Sequence, residues 1–224
     1  MSREHFVRDR LVIGFDLDMT LVDSAQGISE ALVAVCLKHG VQIRLEDALA
    51  TIGLPLDQVF PLWLPDLPYE QLLDEYREHY GQHGIPKTVA LPGAEQALAA
   101  VKQLHGRTVV VSAKKADFVQ RVLDVVGFEV DAIYGYLFAE HKGEVLLKEG
   151  AQVYVGDHPG DIAAARAANA ISVVVATGPT SEEVLRESSP DVVLTDLTEF
   201  PAWLHGMEAL VAGREHHLSA EELN

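Results

Sequence analysis

Cysteine is almost absent. Cys36 is the one thiol in 224 residues, which excludes an intrachain disulfide framework. It falls in the apolar-rich run Ala31-Leu32-Val33-Ala34-Val35-Cys36-Leu37, where a free thiol reads as a small buried hydrophobe. Basic residues are scarce too: 17 Lys and Arg face 34 Asp and Glu, a formal net charge of −17. Nucleic acid needs clustered cations against its phosphates, and an anionic membrane surface needs the same, so neither is expected as a partner. A small phosphorylated metabolite stays open, because one divalent ion and one lysine can reverse the potential locally. The excess acidity serves solubility. No apolar stretch approaches the length of a membrane span. The first ten residues, with Arg3, Glu4, Arg8, Asp9 and Arg10, lack the apolar core of a signal peptide. The expectation is a cytoplasmic, reduced protein, monomer or homodimer, whose 48% hydrophobic content is ample for a packed core.

Against this background one stretch stands out: Val12-Ile13-Gly14-Phe15-Asp16-Leu17-Asp18-Met19-Thr20-Leu21-Val22-Asp23-Ser24. An apolar run delivers two carboxylates, at i and i+2, to the end of an expected strand. Alternation puts them on the same side of an extended chain. Two like charges held that close are costly unless a cation or a proton lies between them. A second acidic cluster, Gly156-Asp157-His158-Pro159-Gly160-Asp161, follows the apolar run Val153-Tyr154-Val155. Pro159 suits a first helical turn, and the alanine-rich segment after it is strongly helix-forming. Asp157 and Asp161, four apart, are expected to share a face at that helix N-terminus, where the helix dipole offsets part of their charge. The remainder leaves room for a divalent metal, and hard carboxylate oxygens suit Mg²⁺. Between the two clusters lie Ser112, closing the β-branched run Val109-Val110-Val111, and Lys142, ahead of a helical stretch.

Elsewhere the pattern divides the chain. Residues 26–89 read as helices near Gln26–His39, Glu46–Ile52, Leu56–Trp63 and Tyr69–His83, with no convincing strand. From Leu91-Pro92-Gly93 onward helices and strands alternate. Strands fall near Arg107–Ser112, Ile133–Gly135, Gln152–Val155, Ser172–Ala176 and Val192–Leu194, and a capping-box pattern at Asp196-Leu197-Thr198-Glu199 marks a later helix start. The predicted fold class is α/β, a doubly wound parallel, Rossmann-like sheet with an inserted all-helical cap. The expected division is an α/β core of residues 1–25 and 90–207, a helical cap of residues 26–89, and a C-terminal tail, 208–224, disordered or partner-contacting. Asp16, Ser112 and Asp157 each close a strand, where open α/β sheets bind ligands.

The order Asp16-x-Asp18-x-Thr20, then Ser112, then Lys142, then Gly156-Asp157 with Asp161, closely resembles the haloacid dehalogenase-like hydrolase superfamily. The likeness runs from about Leu11 to about Leu204, and its spacing looks most like the phosphoglycolate phosphatase-like branch with a helical cap. It implies a Mg²⁺-dependent phosphatase of small phosphomonoesters, with phosphoglycolate the leading substrate. In that scheme Asp16 is the nucleophile that forms an aspartyl-phosphate. Asp18 is the general acid, then base. Mg²⁺ is held by Asp16, the backbone carbonyl of Asp18 and Asp157, with Asp161 orienting or completing the shell. Ser112 and Lys142 bind the transferring phosphoryl oxygens. Thr20 is grouped with these phosphate-binding residues, although a hydrogen bond within its loop is its plainer task.

Two positions depart from the family pattern. Met19 stands where glycine is usual, and is expected to need only an ordinary conformation. Gly143 follows Lys142 where proline is frequent, which makes Lys114, Lys115 and Lys148 competitors for the phosphate-binding cation. Arg44, Gly53, Arg77, His79, His83 and Lys87 are candidate readers of the substrate, each with exposed surface charge or loop as its ordinary role. Other readings share these residues. A phosphoglucomutase-like phosphotransferase would use a sugar hydroxyl as acceptor instead of water, and a non-catalytic phosphate-binding or regulatory relative would keep the fold alone. A metal-free dehalogenase has no use for Asp18. A response-regulator receiver carries its acceptor aspartate after the acidic pair and has no cap.

Overall fold

The computed structural model describes residues 11–207, so the tail expected at 208–224 lies outside the described residues. Strand β1 (Val12–Phe15) runs into a tight loop and then into the two-residue strand β2 (Val22–Asp23). Helices α1 (Ala25–Lys38), α2 (Leu45–Leu49), α3 (Leu56–Val59) and α4 (Tyr69–His79) follow. A π-helical turn (Tyr80–Gly84) and a 3-10 turn (Ile85–Lys87) lead to β3 (Val89–Ala90). The chain then alternates α5 (Ala94–Gln103), β4 (Arg107–Val111), α6 (Ala116–Val126), β5 (Ala132–Tyr134), α7 (Glu140–Glu149), β6 (Val153–Gly156), α8 (Pro159–Ala167), β7 (Ile171–Val175), α9 (Glu182–Glu187) and β8 (Val192–Leu194). Residues 200–207 are helical.

Six strands form one parallel sheet in the order β5-β4-β1-β6-β7-β8. All four residues of β1 are buried, as a central parallel strand covered on both faces requires. Alternate residues divide between two cores. Ile13, Phe15, Val110 and Val155 join α5, α6 and the last helix, where Phe200 meets Phe15 edge-on at 5.6 Å. Val12, Val109, Val111 and Tyr154 face α7 and α8 instead. The doubly wound α/β expectation holds, with helices inserted after β1. Among the described residues no helix is long and apolar enough to cross a membrane.

Two differences from the sequence reading have clear causes. The helix expected over Tyr69–His83 changes at Tyr80 into the π-helical turn, where Gly84 passes close to Gly27 of α1. The strands β2 and β3 were not anticipated. They pair antiparallel, Val22 opposite Ala90 and Asp23 opposite Val89, where the chain leaves and re-enters the core. Two residues are too few to show alternation.

Candidate active site

Asp16, Ser112 and Asp157 follow β1, β4 and β6, three neighbouring strands at the centre of the sheet. Parallel register brings their carboxyl ends to one edge: Asp16 N–H donates to Val155 O at 2.8 Å, continuing the ladder past β1. The loop after β1 is held by Leu21 and Val22 N–H groups on Leu17 O, and by Thr177 Oγ1 donating to Met19 O at 2.5 Å. Met19 itself has φ 60, a left-handed conformation that favours glycine. The expectation of an ordinary backbone there is therefore corrected. The cost of roughly 1–2 kcal/mol is offset by a side chain only 9% exposed, which glycine would forgo.

Asp157 lies one residue ahead of the helix cap, outside α8, while Asp161 sits in its first turn. The two carboxylates thus converge from a strand end and a helix start, and not from one helical face as the spacing suggested. His158 caps α8: its Nδ1 accepts from Gly160 N–H at 3.0 Å, and Asp161 Oδ2 accepts from His158 N–H at 3.1 Å. Thr20 is fully buried and donates its hydroxyl to Asp157 Oδ1 at 3.0 Å. Gly178 lets the next loop close over this carboxylate, since a Cβ there would stand 1.8 Å from Asp157 Oδ2. Gly178→Ala is expected to destabilise the fold by about 1–3 kcal/mol, the usual cost of overpacking. An unshifted denaturation midpoint would show that the backbone yields instead.

Lys142 is the cation of this cluster. Its Nζ lies 2.7 Å from Asp161 Oδ1 and 3.2 Å from Asp16 Oδ1, with 4% of the side chain exposed. Gly143 explains itself in packing: a Cβ there would come within 2.6 Å of Ala167 Cβ, so glycine permits the close approach of α7 to α8. Burial works against the Lys142 charge, but Asp16 and Asp161 together push its pKa well above the ordinary lysine value. Burial likewise pushes the Asp16 carboxyl up to about 7, against the pull of Lys142 and with Asp161 and Asp18 adding to the rise. Asp157 is raised by burial, then by Asp161 and Asp16.

Of the competing lysines, Lys115 pairs with Asp117 at 2.9 Å on the surface and Lys148 is exposed on α7. Lys114 has a task of its own. Its Nζ lies 3.2 Å from Asp18 Oδ2 and donates to the Tyr80 hydroxyl at 2.9 Å. On the other side Ser24 Oγ donates to Asp18 Oδ1 at 2.5 Å. Asp18 is thereby clamped between a residue of the crossing, Ser24, and one that reaches the cap. The sequence placed Lys114 among the phosphate cations and gave Ser24 no role, because neither contact is local in the chain. Ser112 is buried, and its Oγ accepts from Lys114 N–H at 3.3 Å.

The residues present fit a divalent cation. Asp16, Asp157 and Asp161 can each bring one carboxylate oxygen within 4.8 Å of the others. Asp16 Oδ1 is buried and, apart from its ion pair with Lys142, makes no hydrogen bond. Three carboxylates against one ammonium leave negative charge in a buried place, and all-oxygen donors suit Mg²⁺. Asp16, Asp18, Ser112, Lys142 and Asp161 all line one cavity of about 480 Å³ between core and cap. Of the candidate substrate readers, Gly53 and Arg77 line it; Arg44, His79, His83 and Lys87 lie outside its walls.

A parallel α/β core that gathers carboxylates, a hydroxyl and a lysine at its central strand ends, beneath an inserted helical layer, is the frame of a hydrolytic enzyme class. A sequence profile of the haloacid dehalogenase-like hydrolases matches residues 13–175, and the chain belongs to that family. It is similar to the PpaX protein of Caldanaerobacter subterraneus, named for a pyrophosphatase activity, with 29% identity over 210 residues, 87% of this chain and 94% of the relative. The phosphoglycolate phosphatase of Aquifex aeolicus is 28% identical over 198 residues, 82% of this chain and 92% of that one. A crystal structure from Clostridium acetobutylicum, described as a predicted phosphatase, shares the fold with a TM-score of 0.77 at 23% identity, covering 88% of this chain and 99% of the other. The family, fold and enzyme class expected from the sequence hold.

Proposed function

We propose that the protein is a Mg²⁺-dependent phosphatase that hydrolyses a small phosphomonoester through an aspartyl-phosphate on Asp16. The observation that carries this reading is the pairing of roles around one cavity. Asp16 is held by Lys142, and Asp18 is clamped separately by Ser24 and Lys114. Asp16, Asp157 and the backbone carbonyl of Asp18 would hold Mg²⁺, with Asp161 orienting the shell. When bound, the ion neutralises charge on the phosphoryl oxygens.

The chain's own residues supply the rest. An Asp16 oxygen attacks phosphorus as the ester P–O bond breaks, and the departing alkoxide takes its proton from Asp18. Asp18, now a carboxylate, accepts a proton from the water that attacks the aspartyl-phosphate, releasing phosphate and restoring Asp16. Ser112 and Lys142 steady the phosphoryl oxygens through both steps. Phosphoglycolate, the sequence's leading expectation and the substrate that relatives are named for, is the reference ester. EDTA is expected to stop phosphate release and Mg²⁺ to restore it. Full turnover in EDTA, with metal content measured as negligible, would overturn the reading. Recovery of an isomerised sugar phosphate without free phosphate would reassign the enzyme as a phosphotransferase.

A further inference from the structure

The walls of the cavity say more about the substrate than the phosphoryl site does. Its volume of about 480 Å³ falls in the range of about 300–1,000 Å³ that takes drug-sized ligands. A two-carbon acid such as glycolate fills a small part of it. Much of the lining away from the catalytic carboxylates is apolar or aromatic, with Ile52, Leu54, Leu73 and Tyr76 from the cap and Phe118 and Phe138 from the core.

The charges on the walls point the same way. Lys and Arg contribute four cations to the lining, and each already has a partner. Lys142 holds Asp16 and Asp161, and Lys114 holds Asp18 and Tyr80. Lys115 pairs with Asp117. Arg77 donates to the Tyr136 hydroxyl and lies over the Tyr136 ring, 5.3 Å from its centre. The cap adds Asp57 and Glu70 to the lining. A carboxylate or second phosphate on the leaving group would lose its water there and meet no unengaged cation, a costly exchange. An apolar group would gain by leaving water.

We infer that the leaving group is an uncharged alcohol bearing an apolar, ring-sized substituent. This rests on the phosphatase reading above and departs from phosphoglycolate within it. The test compares esters of similar alcohol acidity, so that chemistry at phosphorus stays nearly constant: ethyl phosphate and 2-phenylethyl phosphate, with phosphoglycolate and inorganic pyrophosphate as anionic comparators, all with Mg²⁺ present. The kcat/KM for 2-phenylethyl phosphate is expected to exceed that for ethyl phosphate at least tenfold, and to exceed both comparators. Equal values for the two esters, or a preference for either anion, overturns the inference while leaving a phosphatase in place.

Leu54→Arg supplies a second arm. Leu54 is 38% exposed on the cap side of the wall, so the fold should accept the change. The variant is expected to lower the ratio of kcat/KM for 2-phenylethyl phosphate to that for phosphoglycolate at least fivefold. An unmoved ratio counts against the assigned wall. If no ester releases phosphate, the phosphatase reading falls, and calorimetric binding still decides the wall. 2-Phenylethylphosphonate should then bind at least tenfold more tightly than phosphonoacetate, and the reverse order overturns the inference.

Discussion

Asp16→Asn is expected to lower phosphate release by roughly a thousandfold or more, the scale of losing a nucleophile, while the protein stays folded. An amide oxygen is a far poorer nucleophile than a carboxylate, and nothing beside it can substitute. Asp18 is already engaged by Ser24 and Lys114, and Asp157 accepts the Thr20 hydroxyl. The effect on stability has the opposite sign. The Asp16 carboxyl titrates near 3.8 in the unfolded chain and at about 7 in the folded one. Between those values the folded state keeps a proton that the unfolded state has released, so this group's contribution to stability falls as the pH rises through that window. Asparagine has no such dependence. At pH 8 without metal, the variant's thermal midpoint should therefore equal or exceed that of the wild type. Activity within tenfold of wild type would remove Asp16 from its role, and a sharply lowered midpoint would show that its charge supports the fold.

Lys142→Ala should fail in both respects. It strips the one ammonium from between Asp16 and Asp161 and leaves their charge uncompensated at a site 4% exposed. Breaking a buried pair costs about 3–5 kcal/mol, and losing one electrostatic stabiliser of the transferring phosphoryl costs roughly a hundredfold or more in kcat/KM. Lys142→Arg separates the two effects. It keeps the charge but replaces a compact ammonium with a planar fork, in a pocket shared with the Tyr154 ring 5.6 Å away. It should recover part of the lost stability and little of the activity. Alanine at Lys115 or Lys148, both at the surface, should leave kcat/KM within about twofold. A crippled Lys115→Ala beside a healthy Lys142→Ala would transfer the phosphate-binding role.

What could be read from the sequence follows from the range of the interactions involved. Strands β1, β4, β6 and β7 are short β-branched or aromatic runs between turn signals, and their ends carry the polar residues, so sheet and acidic cluster were both legible. What escaped depends on chain segments far apart. The pairing of β2 with β3 joins residues near 22 and 90. The reach of Lys114 to Tyr80 crosses 34 positions. The left-handed backbone at Met19 is fixed by a loop that Thr177 ties down from 158 residues away. None of these leaves a periodic or local mark. The capping-box pattern at Asp196 was half right. Asp196 Oδ1 accepts from Thr198 N–H, but Glu199 reaches back to Thr195 N–H and regular helix starts only at residue 200.

The clamp on Asp18 ties chemistry to posture. One of its grips, Ser24, stands where the chain leaves the core, beside the β2–β3 ribbon. The other, Lys114, is itself anchored to Tyr80 in the helical layer above, whose ring stacks on Tyr76 with centroids 5.7 Å apart. Without Tyr80, Lys114 would keep Asp18 alone of these two partners and lose the contact that sets its direction. The contacts that orient Asp18, the proposed proton-transfer residue, are thus shared between the core and the layer that covers it, so shielding the chamber from water and aiming that carboxyl draw on the same side chains.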